Sequence, residues 1–229
     1  MRAYTLPLSL ASVLLNGVLC FGQGEDLSAV KQKARAGDQA AQIQVGMTYA
    51  MNAHPDIPEA IKWFRMAADK GSAQGELHLA AMYDVGLTPP NPAEAVKWYT
   101  LAANQGLKDA EYRLAVMYDK GRGVPQDYAT AAQWYAKAAN QKKVEAQYRL
   151  GEMYEDGLGV KKDYATAMGW YRVAADQKFA VAEYKMGRMY EMGLGTAKNK
   201  TEAINWYQRS SDHGYPDATA AMKSLEDSQ

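Results

Sequence analysis

The stretch AQYRLGEMYEDGLGVKKDYATAMGWYRVAADQ, residues 146–177, consists of two amphipathic runs separated by a glycine-rich connection. A very similar stretch, AEYRLAVMYDKGRGVPQDYATAAQWYAKAANQ, occupies residues 110–141. The five tryptophans of the chain follow the same register, with spacings of 35, 36, 36 and 36 residues: Trp63, Trp98, Trp134, Trp170 and Trp206. A fixed period of this size is typical of repeat proteins.

Tyrosines form a second periodic series: Tyr49, Tyr83, Tyr118, Tyr154 and Tyr190. From each tryptophan to the next of these tyrosines the distance is always 20 residues, so the variation in length falls in the connection before each tryptophan. Strand-favouring residues are sparse, and the pattern predicts an all-α solenoid of five helix-turn-helix repeats. The expected repeats span about 38–71, 72–106, 107–142, 143–178 and 179–214, with partial capping helices at 25–37 and 215–229.

The glycine-rich connection allows two interpretations. Glycines followed by Lys161 and Lys162 could cradle a phosphate group. The motif recurs, however, as GRGV at 121–124, GLGV at 157–160 and GLGT at 193–196. A phosphate loop is needed once, whereas a turn is needed in every repeat, so the recurrence favours a helix–helix turn.

Both ends of the second helix of each repeat carry capping residues. Good N-cap residues stand seven positions before each tryptophan: Asp56, Asn91, Asp127, Asp163 and Asn199. In three repeats a glutamate follows at the third position, which resembles a capping box: Glu59, Glu94 and Glu202. Left-handed ends are expected at Gly71, Gly106 and Gly214. Lys142 and Lys178 replace that glycine in two repeats, where the same conformation would cost about 1 kcal/mol each.

The two stretches at 110–141 and 146–177 resemble the Sel-one-like repeat, a branch of the tetratricopeptide-repeat superfamily. The resemblance extends over about residues 38–214. It implies a right-handed superhelix of paired antiparallel helices. It also implies a role in assembling or recognising other proteins, often in the secretory pathway or at bacterial surfaces.

The N-terminus has the pattern of an export signal. Arg2 precedes an apolar run from residue 6 to residue 19, which is shorter than a membrane-spanning helix. We expect residues 1–22 to be a cleaved signal peptide and 23–229 to be a periplasmic or secreted chain with no membrane span. Cys20, the only cysteine, follows the large Leu19, which disfavours a lipoprotein site.

A strip on the first helices is the candidate binding surface. At 100° per residue, these positions lie opposite the apolar stripe that contains Leu114. The strip would bind a basic or extended peptide segment, or another helix. Alternatively, its tyrosines pack between repeats and its acids are only solvated. Its members in repeats three to five are Tyr112, Val116, Asp119, Tyr148, Glu152, Glu155, Tyr184, Arg188 and Glu191.

Two further expectations concern burial. The row of acids is expected to be exposed: Asp84, Asp119, Glu155 and Glu191. The tryptophans are expected in the core, because Trp134 shares a helical face with Ala131 and Ala138.

Residues for catalysis do not form a recognisable set. His54, His78 and His213 occupy different repeat positions, and no pair has metal-ligand spacing. The 26 basic and 26 acidic residues also lack the excess charge of a typical nucleic-acid binder. We therefore expect a non-catalytic scaffold for protein interactions, with no cofactor and no metal.

Two alternatives stay open. One is an enzyme acting on cell-wall or β-lactam material, as the resemblance to a cysteine-rich secreted branch of the family would imply. That branch carries a cysteine pair in each repeat, whereas this chain has one cysteine in all. The other is a carbohydrate-binding groove, which the tyrosines would permit.

Overall fold

The computed structural model describes residues 26–87 and 89–227. The predicted signal peptide, its cleavage site and Cys20 lie outside the described residues. The described part of the chain contains twelve α-helices, one π-helical turn and no strand. The helices are α1 (Leu27–Arg35), α2 (Gln39–Met51), α3 (Ile57–Ala68), α4 (Ala73–Ala81), α5 (Pro92–Asn104), α6 (Lys108–Lys120), α7 (Tyr128–Asn140), α8 (Val144–Asp156), α9 (Tyr164–Ala175), α10 (Ala180–Met192), α11 (Lys200–Asp212) and α12 (Pro216–Asp227).

The predicted all-α repeat class is confirmed. The chain divides into two compact units between Gln126 and Asp127, inside the connection of the third repeat. Unit 1 contains α1 to α6, and unit 2 contains α7 to α12. Within each unit every helix packs against the helix that follows it. In unit 1, α4 continues directly into the π-helical turn Met82–Gly86, which the sequence pattern did not predict.

The second helices begin at the predicted N-cap residues. The side chain of Asp163, for example, accepts hydrogen bonds from the amides of Ala165 and Thr166. The capping-box interpretation is only half correct. The amide of Asn91 donates to the carbonyl of Tyr83, and Glu94 instead forms an ion pair with Lys97, three residues further along. The N-cap residue therefore ties the start of the second helix to the end of the first.

The glycine-rich connection is a packed turn. Gly157 ends α8 in the left-handed conformation, with a φ of 77°. Gly159 has a φ of 67°, and a Cβ atom there would lie 2.2 Å from the carbonyl carbon of Tyr128, at the start of α7. Gly195 approaches Tyr164 at the start of α9 in the same way, at 2.5 Å. Glycine is therefore required because the connection lies directly on the backbone of the preceding repeat.

The left-handed helix ends follow the prediction. Gly71, Gly106 and Gly214 have φ values of 77°, 80° and 87°. Lys142 and Lys178 keep that conformation, both with a φ of 63°, although they carry a Cβ atom. The repeat geometry therefore overrides the local preference of a lysine.

The core aromatic of each repeat is the residue after the tryptophan, which corrects our expectation. Phe64, Tyr99, Tyr135, Tyr171 and Tyr207 are completely buried. Trp63 and Trp206 are buried as well, but Trp98, Trp134 and Trp170 are half-buried. The rings of Tyr171 and Tyr207 lie on glycines of the first helices, where a Cβ atom at Gly151 would stand 2.6 Å from the Tyr171 ring. Close approach of the two helices therefore depends on the absence of a side chain.

Candidate interaction surface

The predicted strip forms one connected surface in unit 2. Tyr148, Glu152 and Glu155 lie on α8, and Tyr184, Arg188 and Glu191 lie on α10. Lys185 on α10 joins the two helices, because its Nζ atom lies 2.8 Å from Glu155 and 3.9 Å from Glu152. The six predicted residues of this unit thus belong to neighbouring first helices.

The aromatic side chains of the strip are held in place by their neighbours. The Tyr148 ring lies 5.8 Å from Tyr171 and 5.6 Å from Phe179, and its hydroxyl donates to Glu152 at 2.7 Å. The Tyr184 ring lies 5.3 Å from Tyr207 and 4.9 Å from Tyr215. Both tyrosines remain half-buried, so each keeps part of its ring accessible.

The acids of the strip already have cationic or hydroxyl partners. Arg149 pairs with Glu152 at 2.5 Å, and the buried Tyr171 hydroxyl donates to Glu155 at 2.5 Å. Burial alone would raise the pKa of Glu155, but the hydrogen bonds from Lys185 and Tyr171 outweigh it and lower this pKa. Glu155 is therefore held as a carboxylate inside a network that spans three helices.

The expectation of an exposed acid row was wrong for most of its members. Asp84 and Asp119 are buried, and Glu155 is half-buried; Glu191 alone among the four is exposed. Arg122 pairs with Asp84 at 2.7 Å, and burial raises the pKa of Asp84 in spite of this partner. Glu191 accepts a hydrogen bond from the buried Tyr207 hydroxyl. Asp84, Glu155 and Glu191 are therefore bonded to other side chains of the protein and do not form a free charged row.

In unit 1 most residues at the strip positions are buried. Tyr112 and Val116 on α6 are half-buried, and Asp119 is buried. The first two repeats have six equivalent positions. Five of the six are buried there: Met47, Ala50, Leu77, Ala81 and Asp84. Only the sixth, Ile43, is half-buried. These residues belong to the core of unit 1.

A second periodic row of polar residues escaped the sequence analysis. The first helices carry buried Glu76, Glu111, Gln147 and Glu183, and the second helices end near Gln105, Gln141, Gln177 and His213. Gln105 donates to Glu76 at 2.8 Å, and His213 Nδ1 lies 2.6 Å from Glu183. Both series recur at the repeat period, so the sequence did contain the pattern. In repeats two and five these contacts tie the start of the first helix to the end of the second.

Two further findings concern metal sites and membrane spans. No three histidine, cysteine or acidic side chains come together in residues 26–87 and 89–227 as a metal ion would require. None of the helices described is both long and apolar enough to cross a membrane.

The repeat geometry matches a known family. The sequence profile described as Sel1 repeat matches this chain five times, at residues 39–72, 73–107, 108–143, 144–179 and 180–215. The chain therefore belongs to the Sel1 repeat family, within the tetratricopeptide-like superfamily. Proteins of this family generally act as scaffolds for interactions with other proteins.

Solved structures share the fold. The crystal structure of c5321, a protective antigen of uropathogenic Escherichia coli with an SLR fold, is 35% identical with a TM-score of 0.84, covering 88% of this chain and 44% of that one. A Sel1 repeat protein from Oxalobacter formigenes is 30% identical with a TM-score of 0.77, covering 94% of this chain and 65% of that one.

One similar protein has a name that mentions a partner. DAP3-binding cell death enhancer 1 of Rattus norvegicus is 36% identical over 61 residues, which are 27% of this chain and 12% of the rat protein. The chain thus spans about an eighth of the length of this relative and less than half of the E. coli protein.

Proposed function

We propose that this protein is a non-catalytic interaction scaffold, exported to the periplasm or the cell exterior, that binds a partner protein along α8 and α10. The observation that carries the proposal is the pair of ordered, half-buried tyrosines, Tyr148 and Tyr184, on one continuous surface. Aromatic rings that are fixed before binding offer contact area at a small cost in side-chain entropy.

The charges of the surface indicate which kind of partner it would bind. Around the tyrosines stand three cationic and three acidic side chains: Arg149, Lys185, Arg188, Glu152, Glu155 and Glu191. Because the acids are paired locally, attraction for a strongly basic partner is weak. A peptide segment or helix that carries both signs of charge fits this surface better than a polybasic one.

Arg188 allows a direct test, because it is a half-buried member of the strip whose guanidinium donates to the sulfur of Met192 at 3.5 Å. Arg188→Glu should reduce recovery of the partner from a native envelope fraction by about tenfold, the change expected for about 1.4 kcal/mol. Lys161→Glu, on an exposed connection of the same unit, is the matched control and should capture as well as the parent.

Circular dichroism should show the same helix content for both variants. Equal recovery of the partner by Arg188→Glu and by the parent, with folding intact, would place the binding surface elsewhere.

Export has its own test. The charge of Arg2 followed by the apolar run at residues 6–19 supports a cleaved signal. The mature protein should begin near Gln23 or Glu25, as intact-mass measurement of the protein from its native compartment will show. A mass that includes Met1 would contradict cleavage.

A further inference from the structure

Arginines cover aromatic pairs in two of the repeats. In repeat two, the guanidinium of Arg65 lies 5.5 Å from the centre of the Trp98 ring and 5.9 Å from that of Tyr83, and it donates to the Tyr83 hydroxyl. Each repeat has a periodic tyrosine in its first helix and a tryptophan in its second helix. We call this pair of side chains an aromatic cradle. The arginine that fills it comes from the second helix of the preceding repeat.

Repeat five has the same arrangement in unit 2. The guanidinium of Arg172 lies 5.6 Å from the Trp206 ring and donates to the Tyr190 hydroxyl at 3.0 Å. Arg209 lies over the same tryptophan at 4.2 Å. Between these two side chains, Trp206 is only 6% exposed.

Repeat four has the aromatic cradle without the arginines. Its members are Tyr154 and Trp170, and Ala136 stands where repeat five has Arg172. Val173 stands where repeat five has Arg209, and its side chain is 44% exposed. In the described part of unit 2, no cation lies over the Trp170 ring and no side chain bonds the Tyr154 hydroxyl. Trp170 is correspondingly more exposed than Trp206.

The backbone of repeat four follows that of repeat five. Both repeats place the tryptophan 16 residues after the tyrosine and 36 residues after the preceding tryptophan. Gly159 and Gly195 have nearly equal φ values, 67° and 70°, and both lie against the start of the preceding second helix. The space that Arg172 fills in repeat five is therefore left open by the methyl group of Ala136.

We propose that the aromatic cradle of Tyr154 and Trp170 binds an arginine side chain of a partner protein. A guanidinium is attracted to the face of the tryptophan and can donate to the tyrosine hydroxyl, as the chain's own arginines do. Arginine is the expected occupant because it fills the cradle in both repeats two and five. The inference rests on the proposal that the protein has a protein partner, but it assigns a separate contact, formed by α7, α8 and α9.

Titration with a small probe tests the cradle without the partner. In ¹⁵N-labelled protein, each of the five tryptophans gives an indole resonance, which Trp→Phe variants assign. Arginine amide, added at constant ionic strength, should shift the Trp170 resonance at least threefold more than citrulline amide, its isostere with an uncharged side chain. Trp206 should respond little, because Arg172 and Arg209 already cover it.

Variants open and close the cradle in a predictable way. Ala136→Arg should abolish the response of Trp170, because the new side chain occupies the site. Arg65→Ala should open the cradle of repeat two, so that Trp98 begins to respond to arginine amide. An equal shift with citrulline amide, or an unchanged response in Ala136→Arg, would overturn the proposal. A larger shift with tetramethylammonium than with arginine amide would overturn the choice of arginine. Because no partner is present, a negative result here leaves the Arg188 capture result unaffected.

Discussion

Tyr171→Ala should lower the free energy of unfolding by about 3–5 kcal/mol, as expected for removal of a large core aromatic. The ring is completely buried and lies against the bare backbone at Gly151. Its hydroxyl also donates to Glu155, so truncation removes both packing and a hydrogen bond. Denaturant unfolding followed by circular dichroism measures the loss.

Two neighbouring substitutions separate these contributions. Tyr171→Phe keeps the ring and should cost about 1 kcal/mol, because Lys185 still bonds Glu155. Trp170→Ala removes a larger but half-buried side chain and should cost less than Tyr171→Ala. If the tryptophan proved the more costly of the two, our assignment of the core aromatic would fail.

A drop in pH should lower the free energy of unfolding by up to about 3 kcal/mol through protonation of His78 alone. This value follows from the shifted pKa of His78, because each pKa unit corresponds to about 1.36 kcal/mol. Complete burial lowers the pKa of His78 from 6.5 to about 4. Its ring stacks on Phe64 at 5.1 Å, and its Nδ1 atom has no hydrogen-bond partner among the described residues. The unfolded chain therefore binds the proton first, and stability falls as the pH drops from about 6.5 towards about 4.

Comparison of variants isolates this contribution from that of the carboxylates. His78→Leu should lose much less stability than the parent between pH 7 and pH 4.5. His54→Gln, at an exposed histidine of the same unit, should lose as much as the parent. A parent and a His78→Leu variant with identical pH dependence would show that the buried imidazole accepts its proton without cost.

The sequence predicted the repeat, its caps and its turns because these depend on local geometry with a fixed period. It did not decide between Trp134 and Tyr135 as the core aromatic. The two residues are adjacent, and buried alanines flank both at helical spacing, so the periodic pattern fits either. Close approach to a glycine of another helix selects the smaller ring, as at Gly151 and Tyr171, and that contact is not local.

The candidate binding strip on the first helices shows the same limit of prediction from sequence. The positions of the acids follow from the helical period, and their exposure was inferred from a single helix. The hydrogen bonds of Glu155 and Glu191 come from Tyr171 and Tyr207, which lie 16 residues further along the chain. A single helix considered alone cannot show a partner on its neighbour. The pairing by Arg149 was within reach of the sequence, because it lies three residues before Glu152.

Amide hydrogen exchange of the protein bound to its captured partner tests the central claim most directly. We expect binding to slow exchange in Val144–Asp156 and Ala180–Met192, the helices that carry Tyr148 and Tyr184. The second helices of the same unit, Tyr164–Ala175 and Lys200–Asp212, should show smaller changes away from the aromatic cradle. Slower exchange confined to the second helices or to unit 1, with α8 and α10 unchanged, would contradict the proposed binding surface.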